Sequence, residues 1–443
     1  MAFMKTWKLS GWLSLVIFMS FVTDVKKVSA QDIGYARMVI DSLCSPGYFG
    51  RGYAFRGDSI AANFIVKQFM RAGIEPAGKG YFQPFEIPVN IFPGKMEVRF
   101  DRKTLVPGKD YIVSPGSPSI HGTYRVLELS PAILSARESL LNFLERSSGK
   151  IIYINKTDFI QLGDSVNKVI RRLTEILKNI TDYSPAAVVV AGKDKLVWST
   201  ATEVDKRPVI FTNVIPDKIR KVRLEIQEKF IDSCRTQNII GRIGPENDSD
   251  SVMVVTAHYD HLGMMGKDTR FPGANDNASG TALMLDLAKE LNTVTDSLRF
   301  PVLFIAFSGE EAGLLGSGYF VSHPVIGLDK IKFLINLDLA GTGDDGITVV
   351  NATVFKKEYE RLTEINNRYH LLPAVKSRGE ACNSDHCFFY REGVPCFFIY
   401  TLGGIQAYHD IYDRPETLPL TAYDNYFRLL KRFILDMDGV NLK

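Results

Sequence analysis

Residues 251–263 read SVMVVTAHYDHLG, an almost unbroken apolar run over residues 251–257 followed by a polar cluster. A run of this length and composition is typical of a strand that is buried on both faces of a sheet. Ligands of open α/β sheets bind outside the carboxyl ends of the strands. His258 and Asp260 therefore stand at a position where we expect chemistry.

Further apolar runs of strand length occur downstream, at residues 302–307, 333–337 and 395–400. Segments with helical character lie between these runs, at residues 281–291 and 357–369. Alternating buried strands and helices predict an α/β fold with a mixed, mostly parallel central sheet flanked by helices.

The pattern changes between about residues 92 and 233 to short strand-like runs with one clear helix among them. Apolar side chains recur at helical spacing from Val166 to Ile180. This pattern predicts a small α/β domain at residues 93–233, inserted into a main domain formed by residues 31–92 and 234–443. The basic stretch at residues 218–223 is interpreted as a solvated helix face.

The N-terminal segment has the pattern of a signal peptide. Lys5 and Lys8 form a positive start, residues 13–22 an apolar core, and Val28-Ser29-Ala30 a small-residue cleavage site. We therefore expect cleavage near Ala30 and a periplasmic or extracellular protein. An uncleaved anchor is the alternative, although the apolar run at residues 11–22 is shorter than the roughly 20 residues that span a bilayer.

Removal of residues 1–30 changes the charge balance, because these residues carry Lys5, Lys8, Lys26 and Lys27 against Asp24 alone. Lys and Arg fall from 53 to 49 and Asp and Glu from 50 to 49, so the mature protein is close to neutral. This balance gives no indication of a nucleic-acid partner or of stable membrane association after leader cleavage.

The chain contains five cysteines, which are Cys44, Cys234, Cys382, Cys387 and Cys396. We expect Cys382 and Cys387 to pair, because only a short loop separates them, with two reduced thiols as the alternative. No CxxC spacing occurs, which argues against a Cys-rich zinc site.

Several side chains of metal-binding type follow the predicted strands or lie in the loops between them: His258, Asp260, Asp276, Glu310, Glu311, Asp338 and His409. Singly, each has a structural explanation, such as a helix cap or a solvated surface carboxylate. Together they match the requirements of a two-zinc hydrolytic site: a bridging carboxylate, terminal ligands and one carboxylate that moves protons. Asp260 lies two positions after His258 on an extended strand end, so it can orient the imidazole.

Three ordered motifs resemble those of the M28 family of zinc peptidases: AHYDHLG at residues 257–263, GANDNASG at 273–280 and FSGEE at 307–311. NLD at residues 336–338 and YHD at 408–410 are similar to the family's remaining ligand motifs. The resemblance covers residues 32–92 and 235–443 and implies the zinc exopeptidase fold, which is phosphorylase/hydrolase-like. The predicted insert resembles, more weakly, the protease-associated domain of many members.

The resemblance implies two Zn²⁺ ions per chain. His258, Asp276 and Asp338 would hold one ion, and Asp276, Glu311 and His409 the other, with Asp276 bridging. It assigns Glu310 as the general base and Asp260 as the orienting aspartate. His261 has no metal role in the family pattern, so we expect it to be a packing residue.

The resulting hypothesis is a secreted aminopeptidase that acts on peptides with a free N-terminus. Carboxypeptidase or dipeptidase action stays open, as does the preferred side chain. A glutaminyl cyclase-like acyltransferase is an alternative, because that branch shares much of the ligand set. A non-catalytic, receptor-like protein is a third hypothesis, because some relatives of this fold have lost their metals.

Overall fold

A computed structural model of the chain describes residues 33–245 and 251–440. The predicted signal peptide at residues 1–30 lies outside the described residues. Among the helices that are described, none combines the length and the apolar character that a membrane span requires.

The helices are short to medium in length and are spread along the whole described chain. They are α1 (Ile33–Leu43), α2 (Gly57–Arg71), α3 (Pro131–Leu134), α4 (Arg137–Arg146), α5 (Val166–Asn179), α6 (Gly280–Asn292), α7 (Leu315–Ser322), α8 (Lys356–Tyr369), α9 (His386–Arg391) and α10 (Tyr423–Asp438).

The strands fall into two large sheets and one small hairpin. They are β1 (Glu75–Pro76), β2 (Phe82–Ile91), β3 (Met96–Phe100), β4 (Lys103–Leu105), β5 (Tyr111–Val113), β6 (Ile120–Glu128), β7 (Ile151–Asn155), β8 (Ala187–Ala191), β9 (Val209–Thr212), β10 (Lys221–Ile226), β11 (Lys229–Ile243), β12 (Val252–His258), β13 (Gly263–Met265), β14 (Thr269–Phe271), β15 (Val302–Phe307), β16 (Ile331–Asp338), β17 (Ile347–Val350), β18 (Val375–Ser377) and β19 (Cys396–Thr401).

The central sheet confirms the predicted α/β fold. Within the described residues it has nine strands in the order β1-β11-β15-β12-β16-β19-β17-β18, with β2 paired to β11. The four middle strands, β15, β12, β16 and β19, run parallel to one another. β11 and β17 flank them in antiparallel orientation. The apolar runs found in the sequence correspond to these four middle strands.

Helices cover both faces of the central sheet, which explains why its middle strands are mostly apolar. On one face, buried side chains of α1, α2, α6 and α10 pack against the sheet in a single apolar cluster. On the other face, Phe320 of α7 and Phe389 of α9 form a second cluster with the sheet. The ionisable side chains His258 and Asp338 stand at the strand ends.

A second sheet takes all its strands from the segment between Met96 and Ile226, which lies inside the predicted insert. Its order is β4-β3-β10-β6-β7-β8-β9-β5, with β6 to β9 parallel. Apolar side chains of α4 and α5 pack against one face of this sheet. The inserted α/β fold is as predicted.

The prediction of a helix for the basic stretch at residues 218–223 is wrong. Residues Lys221–Ile226 form strand β10, in which Val222, Leu224 and Ile226 are buried and alternate with more exposed charged side chains. This two-residue period is typical of a strand with one solvated face.

Cys382 and Cys387 form a disulfide bond, as expected, with their Cα atoms 4.7 Å apart. The bond closes the short loop that precedes α9. The cysteines at positions 44, 234 and 396 are free thiols.

Candidate metal centre

His258 and Asp338 meet because they end neighbouring parallel strands. His258 is the last residue of β12 and Asp338 the last residue of β16. The Nε2 atom of His258 lies 3.6 Å from Oδ1 of Asp338. Both side chains are buried. Adjacent parallel strands thus place an imidazole and a carboxylate at one edge of the sheet, as the strand-end argument predicts.

Asp276 lies between two histidines. Its Oδ1 atom is 3.4 Å from Nε2 of His258, and its Oδ2 atom is 2.9 Å from Nε2 of His409. The two oxygens of one carboxylate thus face two different imidazoles. This is the arrangement that a bridging ligand requires.

Two buried side chains hold the loop that carries Asp276. The carboxylate of Asp413 accepts hydrogen bonds from the backbone amides of Asn275 and Asp276, at 2.8 and 2.9 Å. The guanidinium of Arg51 donates to the carbonyl oxygens of Pro272 and Gly273, both at 2.7 Å. Hydrogen bonds to the main chain of this loop therefore fix the position of Asp276.

Glu311 also contacts two imidazoles. Its Oε2 atom lies 3.3 Å from Nε2 of His409, and its Oε1 atom lies 2.7 Å from Nδ1 of His261. The ring nitrogen of His261 thus reaches a carboxylate of the cluster, which is a more specific contact than packing. Burial lowers the pKa of His261 well below its usual value, so this imidazole is neutral.

His258 and His409 both point their Nε2 atom into the cluster. Nδ1 of His258 lies 3.2 Å from the carbonyl oxygen of Asp260, and Nδ1 of His409 lies 3.1 Å from that of Trp198. A carbonyl oxygen only accepts hydrogen bonds, so each Nδ1 carries a proton. In both residues Nε2 is therefore the ring nitrogen that faces the carboxylates, so it is the one available to a metal ion in place of a proton.

Asp260 forms hydrogen bonds with the turn after β15 as well as with His258. Its carboxylate oxygens accept hydrogen bonds from the amides of Glu310 and Glu311, at 3.2 and 3.4 Å, and from the hydroxyl of Tyr53 at 3.0 Å. Its Oδ1 atom is 3.7 Å from Nδ1 of His258, beyond hydrogen-bond distance. The carbonyl of Asp260, rather than its carboxylate, therefore orients the imidazole.

Glu310 faces the same cluster from the other side. A ligand atom of Glu310 lies within 4.8 Å of those of His258 and Asp338. Burial, together with the neighbouring carboxylates of Asp385 and Glu311, raises the pKa of Glu310 well above its usual value. The structure thus brings together every side chain that the sequence analysis selected for the site.

Comparison with known proteins finds a family match in the C-terminal part of the chain. Residues 238–434, somewhat less than half of the chain, match the family model described as Peptidase family M28. The match contains all the clustered side chains described above and omits β3 to β10, the strands of the second sheet.

Curated M28 relatives match over part of their length. Aminopeptidase YwaD of Bacillus subtilis is 42% identical over 109 residues, which cover 24% of this chain and 22% of the relative. A probable leucine aminopeptidase of Arthroderma otae is 30% identical over 186 residues, which cover 39% of this chain and 48% of the relative. The chain thus aligns with less than half the length of these relatives.

Solved M28 structures share the fold over nearly the whole chain. BSAP, described as a zinc aminopeptidase from Bacillus subtilis, has a TM-score of 0.67 at 20% identity, covering 91% of this chain and 94% of its own. A peptidase M28 precursor from Shewanella amazonensis has a TM-score of 0.68 at 14% identity, covering 92% and 94%. At these identities the likeness establishes the fold alone.

The donor set of this site fits divalent cations. Asp276, Glu310, Glu311 and Asp338 bring four carboxylates to one buried place, where unpaired negative charge is costly. Burial and the nearby carboxylate of Asp276 raise the pKa of Glu311 to about 8. Cations between these oxygens and the two Nε2 atoms would neutralise the charge, and mixed imidazole and carboxylate ligands suit zinc.

Several side chains of the site were missed from the sequence. Trp198 and Asp413 support His409 and Asp276 through hydrogen bonds, and Arg51 supports the Asp276 loop. The ring of Tyr408 stacks on His409 at 4.0 Å. Asp413 and Tyr408 lie close to His409 in the sequence, which is a weak signal. For Trp198 and Arg51 the sequence holds no signal, because both contacts are long-range.

Proposed function

We propose that the protein is a zinc metallo-exopeptidase with two Zn²⁺ ions per chain, and that it removes N-terminal residues from peptides. The observation that carries this proposal is the position of Asp276, whose two carboxylate oxygens face the Nε2 atoms of His258 and His409. A carboxylate shared between two imidazoles is the core of a two-metal hydrolytic site. The match to family M28 supports the same reading.

The proposed ligands divide into two sets that share Asp276. His258 and Asp338 complete one set, and Glu311 and His409 complete the other, in line with their pairwise distances. Zinc supplies Lewis acidity towards the scissile carbonyl and lowers the pKa of water towards neutrality.

Glu310 is the proposed general base. Its carboxylate faces His258 and Asp338, and burial raises its pKa above the usual value, which favours uptake of a proton. Glu310 would accept the proton of the attacking water and pass it to the leaving amine. Asp260 would hold the Glu310 turn through the amides of Glu310 and Glu311. Glu310 ends the cycle with the charge it had at the start, because the proton that it takes from water leaves with the amine product.

The remaining parts of the proposal concern the chain outside the site. Residues 31–92 and 234–443 would form the catalytic domain, and residues 93–233 a protease-associated-like insert, in keeping with the separate second sheet. The N-terminal pattern supports export to the periplasm or the outside of the cell.

The test is hydrolysis of a peptide set in which each sequence is present with a free and with an acetylated N-terminus. Release of free amino acids from the free peptides alone is expected. Cleavage of the acetylated peptides alone would contradict aminopeptidase action. Conversion of N-terminal glutamine to pyroglutamate, without release of amino acid, would support the cyclase hypothesis. A pure protein that binds no zinc and cleaves neither set would support a receptor-like role.

A further inference from the structure

The inserted segment reaches the candidate metal centre through Trp198. The amide nitrogen of Trp198 donates to the carbonyl oxygen of His409 at 2.9 Å. The carbonyl of Trp198 accepts from Nδ1 of the same histidine at 3.1 Å. One residue of the insert therefore holds both the main chain and the ring of His409.

Trp198 is itself firmly anchored. Its side chain is buried, and its indole Nε1 donates to the carbonyl of Val113 at 2.8 Å. Its ring packs against Phe271 with ring centres 4.6 Å apart and against Phe92 at 6.0 Å. The insert thus offers His409 a rigid support rather than a loose loop.

Lys195 holds the other side of the same loop. Its ammonium group donates to the carbonyl oxygens of Gln406 and Tyr408, at 2.7 and 3.1 Å. It also lies 2.8 Å from Oδ2 of Asp410, whose side chain is 4% exposed. The Lys195 side chain is 43% exposed, so water screens part of this attraction, and its two hydrogen bonds to the loop carbonyls add to the hold on the loop.

The contact continues from Asp410 to Asp276. Oδ1 of Asp410 accepts hydrogen bonds from the amides of Tyr412 and Asp413, at 2.8 and 3.1 Å. The carboxylate of Asp413 in turn accepts from the amide of Asp276. Lys195 is therefore linked to two of the proposed ligands. It reaches His409 through the carbonyl of Tyr408, the preceding residue, and Asp276 through the carboxylates of Asp410 and Asp413.

We propose that Lys195 is a positioning residue that sets the affinity of the protein for the zinc ion held by Glu311 and His409. The inference rests on the proposed function, since it uses that ligand assignment. Because Lys195 belongs to the predicted insert, the insert would help to build the metal centre. The ion held by His258 and Asp338 takes these two ligands from strand ends of the central sheet and shares only Asp276 with the other ion, so it should depend on Lys195 less.

The experiment is a calorimetric zinc titration of metal-free protein. Lys195→Met removes the ammonium group and keeps most of the apolar stem. The zinc site of Glu311 and His409 should weaken by about 10- to 100-fold, the range for loss of an outer hydrogen-bond partner, and the other site should weaken by less, because only Asp276 links it to Lys195. Lys193→Met, at an exposed position in the same loop, is the matched control and should titrate like the wild type. Lys195→Arg should recover most of the lost affinity.

Asp410→Asn is the second variant, because it removes the charge that faces Lys195 and keeps an acceptor for the amides of Tyr412 and Asp413. It should weaken the same site the most, including where Lys195→Met fails to fold. If the wild type binds two zinc ions and both variants bind two with unchanged affinity, the role of Lys195 is overturned. If the wild type itself binds fewer than two, the proposed function fails instead.

Discussion

Three of the five proposed ligands have a second contact that fixes the direction of the side chain. Nδ1 of His258 and of His409 are both held by carbonyl oxygens, and Glu311 is held by His261. Such outer contacts fix the ring tautomer and the angle at which a ligand meets a metal. At the scale of single residues, the site is therefore arranged before any ion binds.

Glu310→Gln tests the proposed base. The amide has the shape of the carboxylate and cannot take a proton, so kcat should fall by about 10²- to 10⁴-fold. Zinc content should stay at that of the wild type, because Glu310 is not among the proposed ligands. Turnover of a peptide with a free N-terminus and elemental analysis measure the two effects. Glu392→Gln, on an exposed carboxylate, is the control. A fully active Glu310→Gln enzyme would remove the base assignment.

Asp58→Asn tests a buried carboxylate away from the ligands. Burial raises the pKa of Asp58 from 3.8 to about 6, even though Thr236 donates a hydrogen bond to it at 2.9 Å. The folded state thus binds the proton more tightly than the unfolded state, so stability falls as pH rises from about 4 to about 6. At pH 7 the variant should be more stable by about 1 to 3 kcal/mol.

Urea unfolding at pH 7 and pH 4 measures this difference. The gain from Asp58→Asn should shrink at pH 4, where the wild-type carboxyl is mostly protonated in the folded protein. A variant that is less stable than the wild type at pH 7 would contradict the raised pKa of Asp58.

The sequence predicted the residues that touch the cluster and missed most of those that support them. His258 and Asp338 could be found because they end apolar strands, and Asp276 because it lies in a distinctive motif. Trp198 could not, since it meets His409 across 211 positions of sequence. Long-range contacts of this kind depend on how distant segments of the chain pack together, which a local pattern does not encode.

At the scale of elements, the loop before α6 is the part of the site under the most constraint. Arg51 is buried and its guanidinium donates to the carbonyls of Tyr259, Pro272 and Gly273. Asp413 fixes the amides that follow. Arg51 is thus a buried cation that donates to several carbonyl oxygens, and it joins this loop to the segment between α1 and α2.

Arg51→Met tests the support of this loop. The carbonyl oxygens that lose their donor are buried, and each such loss costs about 1 to 3 kcal/mol. The variant should lose at least about 3 kcal/mol of unfolding free energy. Chemical denaturation measures the change, with the exposed Arg102→Met as control. A loss below about 1 kcal/mol, the range of ordinary surface changes, would show that the loop is held without Arg51.

The elements themselves were predictable to different degrees. Buried strands such as β12 and β16 stand out because both faces are covered and most of their positions are apolar. The basic stretch that became β10 was misread because its charged side chains line the solvated face of a strand. Over so few residues, charge obscures the alternation of Val222, Leu224 and Ile226 that marks the buried face.

At the scale of the whole molecule, metal binding and folding should be linked. Four carboxylates and two imidazoles converge in one place, and a metal that binds only the folded state stabilises it. Zinc at about 100 times its dissociation constant should add about 2.7 kcal/mol for each site. Chelation should therefore lower Tm, and zinc should restore it where magnesium does not. Equal Tm values with and without chelator would contradict the link.

The most direct measurement is anomalous X-ray scattering at the zinc absorption edge from crystals of the zinc-loaded protein. Two peaks about 3.5–4 Å apart are expected on either side of Asp276. One should lie beside His258 and Asp338, and the other beside Glu311 and His409. A single peak, or a peak bound by His261 in place of His409, would contradict the two-zinc centre.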